Sequence, residues 1–221
     1  MISIIIPTLN EENFILNSIK PLQNLRKKNC CEIIVIDGQS NDSTVNMVHP
    51  YVDDIFVTNP KRSLQQNLGA SIAKGDILLF LHADTILTEK NLLELNNFHK
   101  DCSWGFYLIS LGEKIFKYQI LEKCINLRSQ IFNYATGDQG IFIRKDLFNR
   151  IGGFPNIDLM EDLEICKILK KLSLPYIIKS QIITSSRKWK SDGFLKTVLK
   201  MRLFRILNSV GLHPNLLKKY Y

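Results

Sequence analysis

The sequence predicts an α/β protein built on a largely parallel sheet. Short apolar or β-branched runs recur at Ile2–Ile6, Glu32–Ile36, Ile55–Thr58 and Ile77–Leu81, with helical patterns between them. That alternation is the mark of βαβ units. Polar residues stand just past two of the runs, Asp37 after the second and His82 and Asp84 after the fourth. The carboxyl ends of buried strands are where open α/β sheets place their ligands.

The elements follow in order. Ile2–Ile6 reads as a first strand, ended by Pro7-Thr8-Leu9-Asn10-Glu11-Glu12, with Asn10 as N-cap of a helix running to Lys27. Glu32–Ile36 is a second strand. Asn41 or Asp42 caps the next helix, and Ile55–Thr58 is a third strand. Lys61-Arg62 is a basic turn before a helix over Leu64–Ala73; two cations at a helix start suit phosphate, although most such pairs are merely solvated. Ile77–Leu81 is the central buried strand, and Asp84 or Thr85 is expected to cap the helix after it.

The second half patterns less sharply. Trp104–Leu111 has strand character. Glu113–Phe132 reads as a long helix with Ile120, Leu121, Cys124, Ile125, Leu127 and Ile131 broadly on one side. Ile141–Ile143 is a strand, Gly152-Gly153-Phe154-Pro155 a turn, and Met160–Leu172 an amphipathic helix opened by Glu161 and Asp162. Tyr176–Ile178 and Ile182–Thr184 are short strands. Phe194–Leu207 is a final amphipathic helix with Lys196, Lys200, Arg202 and Arg205 on its polar side.

Composition narrows the class. The 221 residues, 45% hydrophobic and 23% charged, suit one soluble globular domain or two joined halves. Five cysteines without a CxxC pair point to reduced structural thiols and a cytoplasmic protein. The amino terminus lacks a basic leader pattern, and no run approaches the ~20 apolar residues of a membrane span. A net charge of +8 fits an anionic ligand or membrane surface. The basic residues are dispersed rather than gathered in a stripe, so nucleic acid is not expected as a partner. The GxxxxGK[ST] and GxGxxG patterns are both absent.

Acids and cations at one sheet edge fit a nucleoside diphosphate with a metal. His82 and Asp84 would leave an extended chain on the same face, and together could hold a divalent cation.

Ile4-Ile5-Ile6-Pro7-Thr8-Leu9-Asn10-Glu11-Glu12, Val35–Thr44 and Leu79–Thr85 resemble the family 2 glycosyltransferases of the GT-A fold. The pattern extends over Gly137-Asp138-Gln139-Gly140, Gly152–Pro155, Leu159–Asp162 and Ser185–Trp189. It is most similar to the small bacterial subgroup called transferase 2, rSAM/selenodomain-associated. The resemblance implies a three-layer α/β/α sandwich with a mainly parallel mixed sheet, the nucleotide-diphospho-sugar transferase fold. It would form a single domain over 1–221, with 1–100 binding the nucleotide sugar and 101–221, including the carboxy-terminal amphipathic helices, meeting the acceptor.

The resemblance also implies roles. Pro7, Asn10 and Glu12 would line the nucleotide pocket, Asp37 would meet the base, and Arg62 the base or diphosphate. Asp84 matches the last acid of the DXD motif and would hold Mn²⁺ or Mg²⁺, with His82 standing where relatives carry the first Asp. Asp162, in the Glu161-Asp162 motif, would be the general base of an inverting transfer, and Asp138 would position the acceptor. Arg187 and Trp189 match a late Arg-Trp element near diphosphate and acceptor. For Trp189 core packing is an equal expectation. The cationic helices suggest a lipid-linked acceptor and peripheral contact with the inner face of the membrane; lysines solvated on packed helices are the alternative. His49, His99 and His213 are expected at the surface or in caps. Two rival functions are a non-catalytic nucleotide-sugar binder and a nucleotidyltransferase. The second is expected to carry a glycine-rich loop that Pro7–Glu12 lacks.

Overall fold

The computed structural model describes residues 1–98, 102–191 and 193–209. The chain enters the sheet with β1 (Ile2–Thr8), crosses through α1 (Ile15–Ile19) and α2 (Gln23–Lys27), and returns as β2 (Cys31–Asp37). α3 (Thr44–Val48) leads to β3 (Asp54–Val57), and α4 (Arg62–Ile72) to β4 (Ile77–Phe80). β5 (Thr85–Ile86), α5 (Glu89–Asn96), β6 (Trp104–Ser110) and α6 (Phe116–Phe132) follow. β7 (Ile141–Arg144), α7 (Lys145–Arg150), α8 (Glu161–Lys170), β8 (Tyr176–Thr184), α9 (Arg187–Ser191) and α10 (Phe194–Ser209) complete it.

Eight strands form one sheet in the order β3-β2-β1-β4-β7-β6-β8-β5. The β3-β2-β1-β4 half is parallel, as βαβ crossovers require. β7 pairs antiparallel with both β4 and β6, while β6 and β8 pair parallel. Both halves of the chain therefore share one sheet.

Strand alternation builds two cores. Ile4, Ile6, Ile33 and Val35 face a layer containing α1, α2, α3, α5 and α6. Ile5, Ile34, Ile36 and Phe80 face α4, α7 and α8. Ile4, Ile5, Ile34 and Ile36 are fully enclosed. A strand buried on both faces needs apolar side chains at every position, which is why these runs do not alternate with polar residues.

Several boundaries differ from the sequence expectation. The helix after β1 is not capped by Asn10. It starts at Ile15 and breaks at a 3-10 turn over Lys20–Leu22, where Pro21 lacks the donor a continuous helix needs. The helix after β4 is capped by Thr88, in a reciprocal box with Asn91, rather than by Asp84 or Thr85. β8 is one strand where two were expected; Lys179 and Ser180 are spanned by a register shift opposite Tyr107/Leu108. The apolar positions of α6 split between two faces: Ile125 is buried, while Ile120, Leu127 and Ile131 are exposed. His49 is exposed; His99 and His213 lie outside the described residues.

Candidate active site

The carboxyl ends of β1, β2 and β4 bring two loops together. Asn10 adopts a left-handed backbone, φ 53°. Its Oδ1 accepts from Asn41 N at 2.8 Å, and its N–H donates to Ser40 Oγ at 2.8 Å. Glu12 Oε2 accepts from Ser43 N at 3.0 Å, and the Glu12 N–H donates to Asp42. Asn10 and Glu12 thus fix the loop after β2 to the loop after β1. Asp37 does the same from below. It is 1% exposed and accepts from Ser40 N at 2.7 Å, Ser40 Oγ at 2.6 Å and Thr8 Oγ1 at 3.1 Å. Its oxygens are enclosed and engaged with the loop. Pro7 is half-buried at the end of β1, level with Ile36. Gln65, which the sequence reading missed, ties the two strand ends from α4, donating to Thr8 O at 2.9 Å and Ile36 O at 2.8 Å.

Asp84 lies next to this pair of loops. Its Oδ2 is 3.2 Å from Arg187 Nε. Arg187 also forks onto Glu11, through Nη1 to Oε2 at 2.8 Å and Nη2 to Oε1 at 2.5 Å. Glu11 was not singled out from the sequence, and its partner lies 176 positions away. Such a bidentate pair is geometrically specific. The hydrogen bond to Glu11 strengthens the positive charge of Arg187. Burial pushes the Asp84 carboxyl up, and Arg187 offsets part of that shift. Beside them a cavity of about 380 Å³ opens between Phe14, Ile86, Leu111, Ile183 and Lys190. Its size falls within the range of small-molecule sites.

A second group lies on the α8 side. Glu161 is 3% exposed and pairs with Arg62 Nη1 at 3.4 Å, Arg62 being the first residue of α4. Asp162 Oδ2 accepts from Gly137 N at 2.7 Å and its Oδ1 from Leu163 N at 2.8 Å. Burial pushes the carboxyls of both Glu161 and Asp162 up, above the usual carboxylate range; Asp162 adds to the shift at Glu161, and Arg62 opposes both. Asp138, one residue beyond Gly137, has an enclosed Oδ1 with no partner among the described residues and adds negative field at Asp84 and Asp162.

His82 faces this second group rather than Asp84. A Cβ on Gly137 would overlap its Nε2 and come within 2.9 Å of Cε1, so the imidazole edge lies against the Gly137 backbone. Nε2 is enclosed and has no partner among the described residues. Burial, then the Arg62 and Arg187 charges, holds the ring neutral. A metal at Nε2 would have to displace the Gly137 turn.

Among the described residues no three His, Cys, Asp or Glu side chains converge as a preformed metal cage. Mg²⁺-type ions commonly take one or two carboxylates and fill the shell with substrate phosphate and water. Asp84 fits that pattern, with the Arg187 cation now beside it.

Trp189 is not at the site. It is 7% exposed and belongs to the core cluster that includes Tyr118 and Ile125 of α6. Cys31 and Cys166 are buried with thiols pushed up to about 12, so neither is a nucleophile.

Comparison with known proteins places this arrangement. Residues 3–103 match the model of glycosyl transferase family 2. The matched segment contains both loops, Arg62, His82 and Asp84. Over 108 residues the chain is 30% identical to the poly(ribitol-phosphate) beta-N-acetylglucosaminyltransferase TarP of Staphylococcus aureus, covering 45% of this chain and 33% of TarP. It is 31% identical over 109 residues to a poly(ribitol-phosphate) beta-glucosyltransferase of Bacillus spizizenii, covering 17% of that protein. The chain thus spans a third or less of these curated relatives. The fold is of the GT-A type. It superposes on S. aureus TarS 1–349 in complex with UDP-GlcNAc with TM-score 0.65 at 18% identity, covering 84% of this chain and 58% of that one. A mannosyltransferase of Pyrobaculum calidifontis, in complex with GDP-Man and Mn²⁺, superposes with TM-score 0.57 at 16% identity, covering 81% and 54%.

Proposed function

We propose that the protein is an inverting glycosyltransferase moving a sugar from a nucleoside-diphosphate donor to an acceptor hydroxyl. The observation that carries this reading is the pairing of Asp84 with Arg187 beside the loops after β1 and β2, in a chain whose residues 3–103 match the family 2 model. The resemblance to the transferase 2 subgroup supports the same activity.

Asp162 is the general base. Its carboxyl is raised by burial, and a base works best when its pKa approaches the working pH. The hydrogen bonds from Gly137 and Leu163 leave a lone pair on each oxygen. The acceptor O–H proton passes to Asp162 as the acceptor oxygen bonds the anomeric carbon. The bond from that carbon to the diphosphate breaks, and its electron pair leaves with the nucleoside diphosphate. Arg62 and Arg187 stand where the departing charge develops. Glu161 keeps Arg62 in place, and Asp138 orients the acceptor. Mn²⁺ or Mg²⁺ held by Asp84 would supply further charge neutralisation on the diphosphate. The cationic amphipathic helices of the second half support a lipid-linked acceptor and peripheral contact with the membrane face.

Thermal stability with UDP-, GDP-, CDP- and dTDP-sugars, with and without Mn²⁺, tests the donor site, since a ligand of the native state raises the midpoint. One nucleotide class giving a shift, and Asp162→Asn keeping that shift while losing transfer, is the expected result. Transfer at the wild-type rate in Asp162→Asn would remove the assigned base. The second reading, a nucleotide-sugar binder without turnover, is favoured by the Arg187 bridge already closed over Asp84 and Glu11. It predicts the same midpoint shift with no donor consumption.

A further inference from the structure

We infer that α6 and α10 form a docking surface for an anionic lipid bilayer. α6 carries apolar residues both on its core side and on its solvent side. Tyr118, Ile125 and Ser129 are buried on the core side. On the opposite side Phe116 is 74% exposed, Ile120 46%, Leu127 58% and Ile131 60%. With the exposed Cys124 these positions are spaced by four, four, three and four residues, one continuous stripe along the helix. α6 packs one side on the core and leaves this apolar stripe bare on the other. At 1.5 Å per residue the stripe runs about 25 Å.

α10 lies alongside. Phe194 meets Tyr118 edge-on at 5.5 Å, and Lys117 Nζ sits 5.4 Å from the Phe194 ring. Phe204 is buried while Leu199 and Leu203, one turn apart, are 65% and 53% exposed.

Charge decides the occupant. Lys114, Lys117, Lys123, Lys196 and Arg202 are exposed on these helices and the turn before α6. The sequence of α10 contains no acid, and α6 has only Glu122, whose carboxylate accepts from Ser110, Leu111 and Gln181. An apolar stripe among cations suits a bilayer with anionic headgroups, where the stripe enters the acyl boundary and the lysines reach the phosphates. A second copy of the chain would set the same cations against one another. Among the described residues no helix is long and apolar enough to cross a membrane, so the contact is one of lying on the surface. α6 ends five residues before Gly137, which donates to Asp162. A docked α6 would hold the site at the lipid surface. That last step rests on the glycosyltransferase reading; the docking does not.

The test is flotation of the full chain with vesicles of phosphatidylcholine alone and of phosphatidylcholine mixed with phosphatidylglycerol. Binding to the mixed vesicles is expected, reversed by salt. Lys114→Ala and Lys123→Ala are each expected to weaken it about fivefold, and the pair Ile120→Glu/Leu127→Glu to abolish it with an unchanged melting temperature. No binding to mixed vesicles, or equal binding to neutral ones, overturns the inference. So does a dimeric wild type that Ile120→Glu/Leu127→Glu makes monomeric, since a second copy would then cover the stripe. A lowered melting temperature in that variant overturns it too, because the stripe would be packed. Flotation needs no donor, so vesicle binding without glycosyl transfer would sink the proposed activity and leave the surface standing.

Discussion

Gly137→Ala tests the heart of the site without requiring a substrate. The Gly137 N–H holds Asp162 Oδ2 at 2.7 Å, and the His82 imidazole closes on the Gly137 Cα. A methyl group there would overlap His82 Nε2 and lie 2.9 Å from Cε1, well inside contact distance. Overpacking of this kind costs about 1–3 kcal/mol. In a chain of this size each 1 kcal/mol moves the midpoint by roughly 2–4 °C, so a fall of about 2–12 °C is expected. His82→Ala opens the space that the methyl needs and removes a buried nitrogen with no partner among the described residues. Adding Gly137→Ala to His82→Ala should then cost almost nothing, a coupling of about 1–3 kcal/mol in a double-mutant cycle. Thermal denaturation followed by circular dichroism reads all four proteins. Additive effects of the two substitutions would refute the packing of His82 on Gly137, and with it the argument that Nε2 is closed to a metal.

Other outcomes follow from the same geometry. Asp162→Asn should lower transfer about 10²–10⁴-fold while donor binding, read by thermal shift, persists. Because burial raises the Asp162 and Glu161 carboxyls, the folded chain keeps protons that the unfolded chain has lost; stability should fall as pH rises from the ordinary carboxylate range through the raised values, and Asp162→Asn should flatten that slope in denaturant titrations. Transfer should rise over the same interval, since the base must be ionised to act. Arg187→Gln frees Asp84 Oδ2 and removes a nearby cation; with such pairs worth ~1 kcal/mol, Mn²⁺ binding without donor should tighten about fivefold in a spectroscopic titration. Gly105→Ala would drive a Cβ into the Tyr176 carbonyl of β8 and within 2.8 Å of the Phe142 ring, and is expected to abolish soluble expression.

Strands β1, β2 and β4 were legible because a strand between two helical layers must be apolar at nearly every position, while the edge strand β3 is half-exposed. Ile4, Ile5, Ile34 and Ile36 announce that directly, and Asp37 and Asp84 mark the ends where the apolar demand stops. Asp162 was legible by its motif, since its position in sequence alone suits any helix start. Elements shorter than two turns were harder: nothing local announces β5, whose two residues pair only because β8 runs past them.

Sequence by itself determined the parallel βαβ order and the polar residues that stand at the carboxyl ends of β2 and β4. It did so because periodicity and strand termination are local properties of a chain. Only the tertiary structure decided which group each side chain meets. Arg187 reaches Glu11 and Asp84, His82 turns to Gly137, Asp37 is spent on its own loop, Trp189 goes to the core, and the apolar residues of α6 divide between core and surface. Each of these depends on where a distant segment packs, and no spacing along the chain encodes that distance.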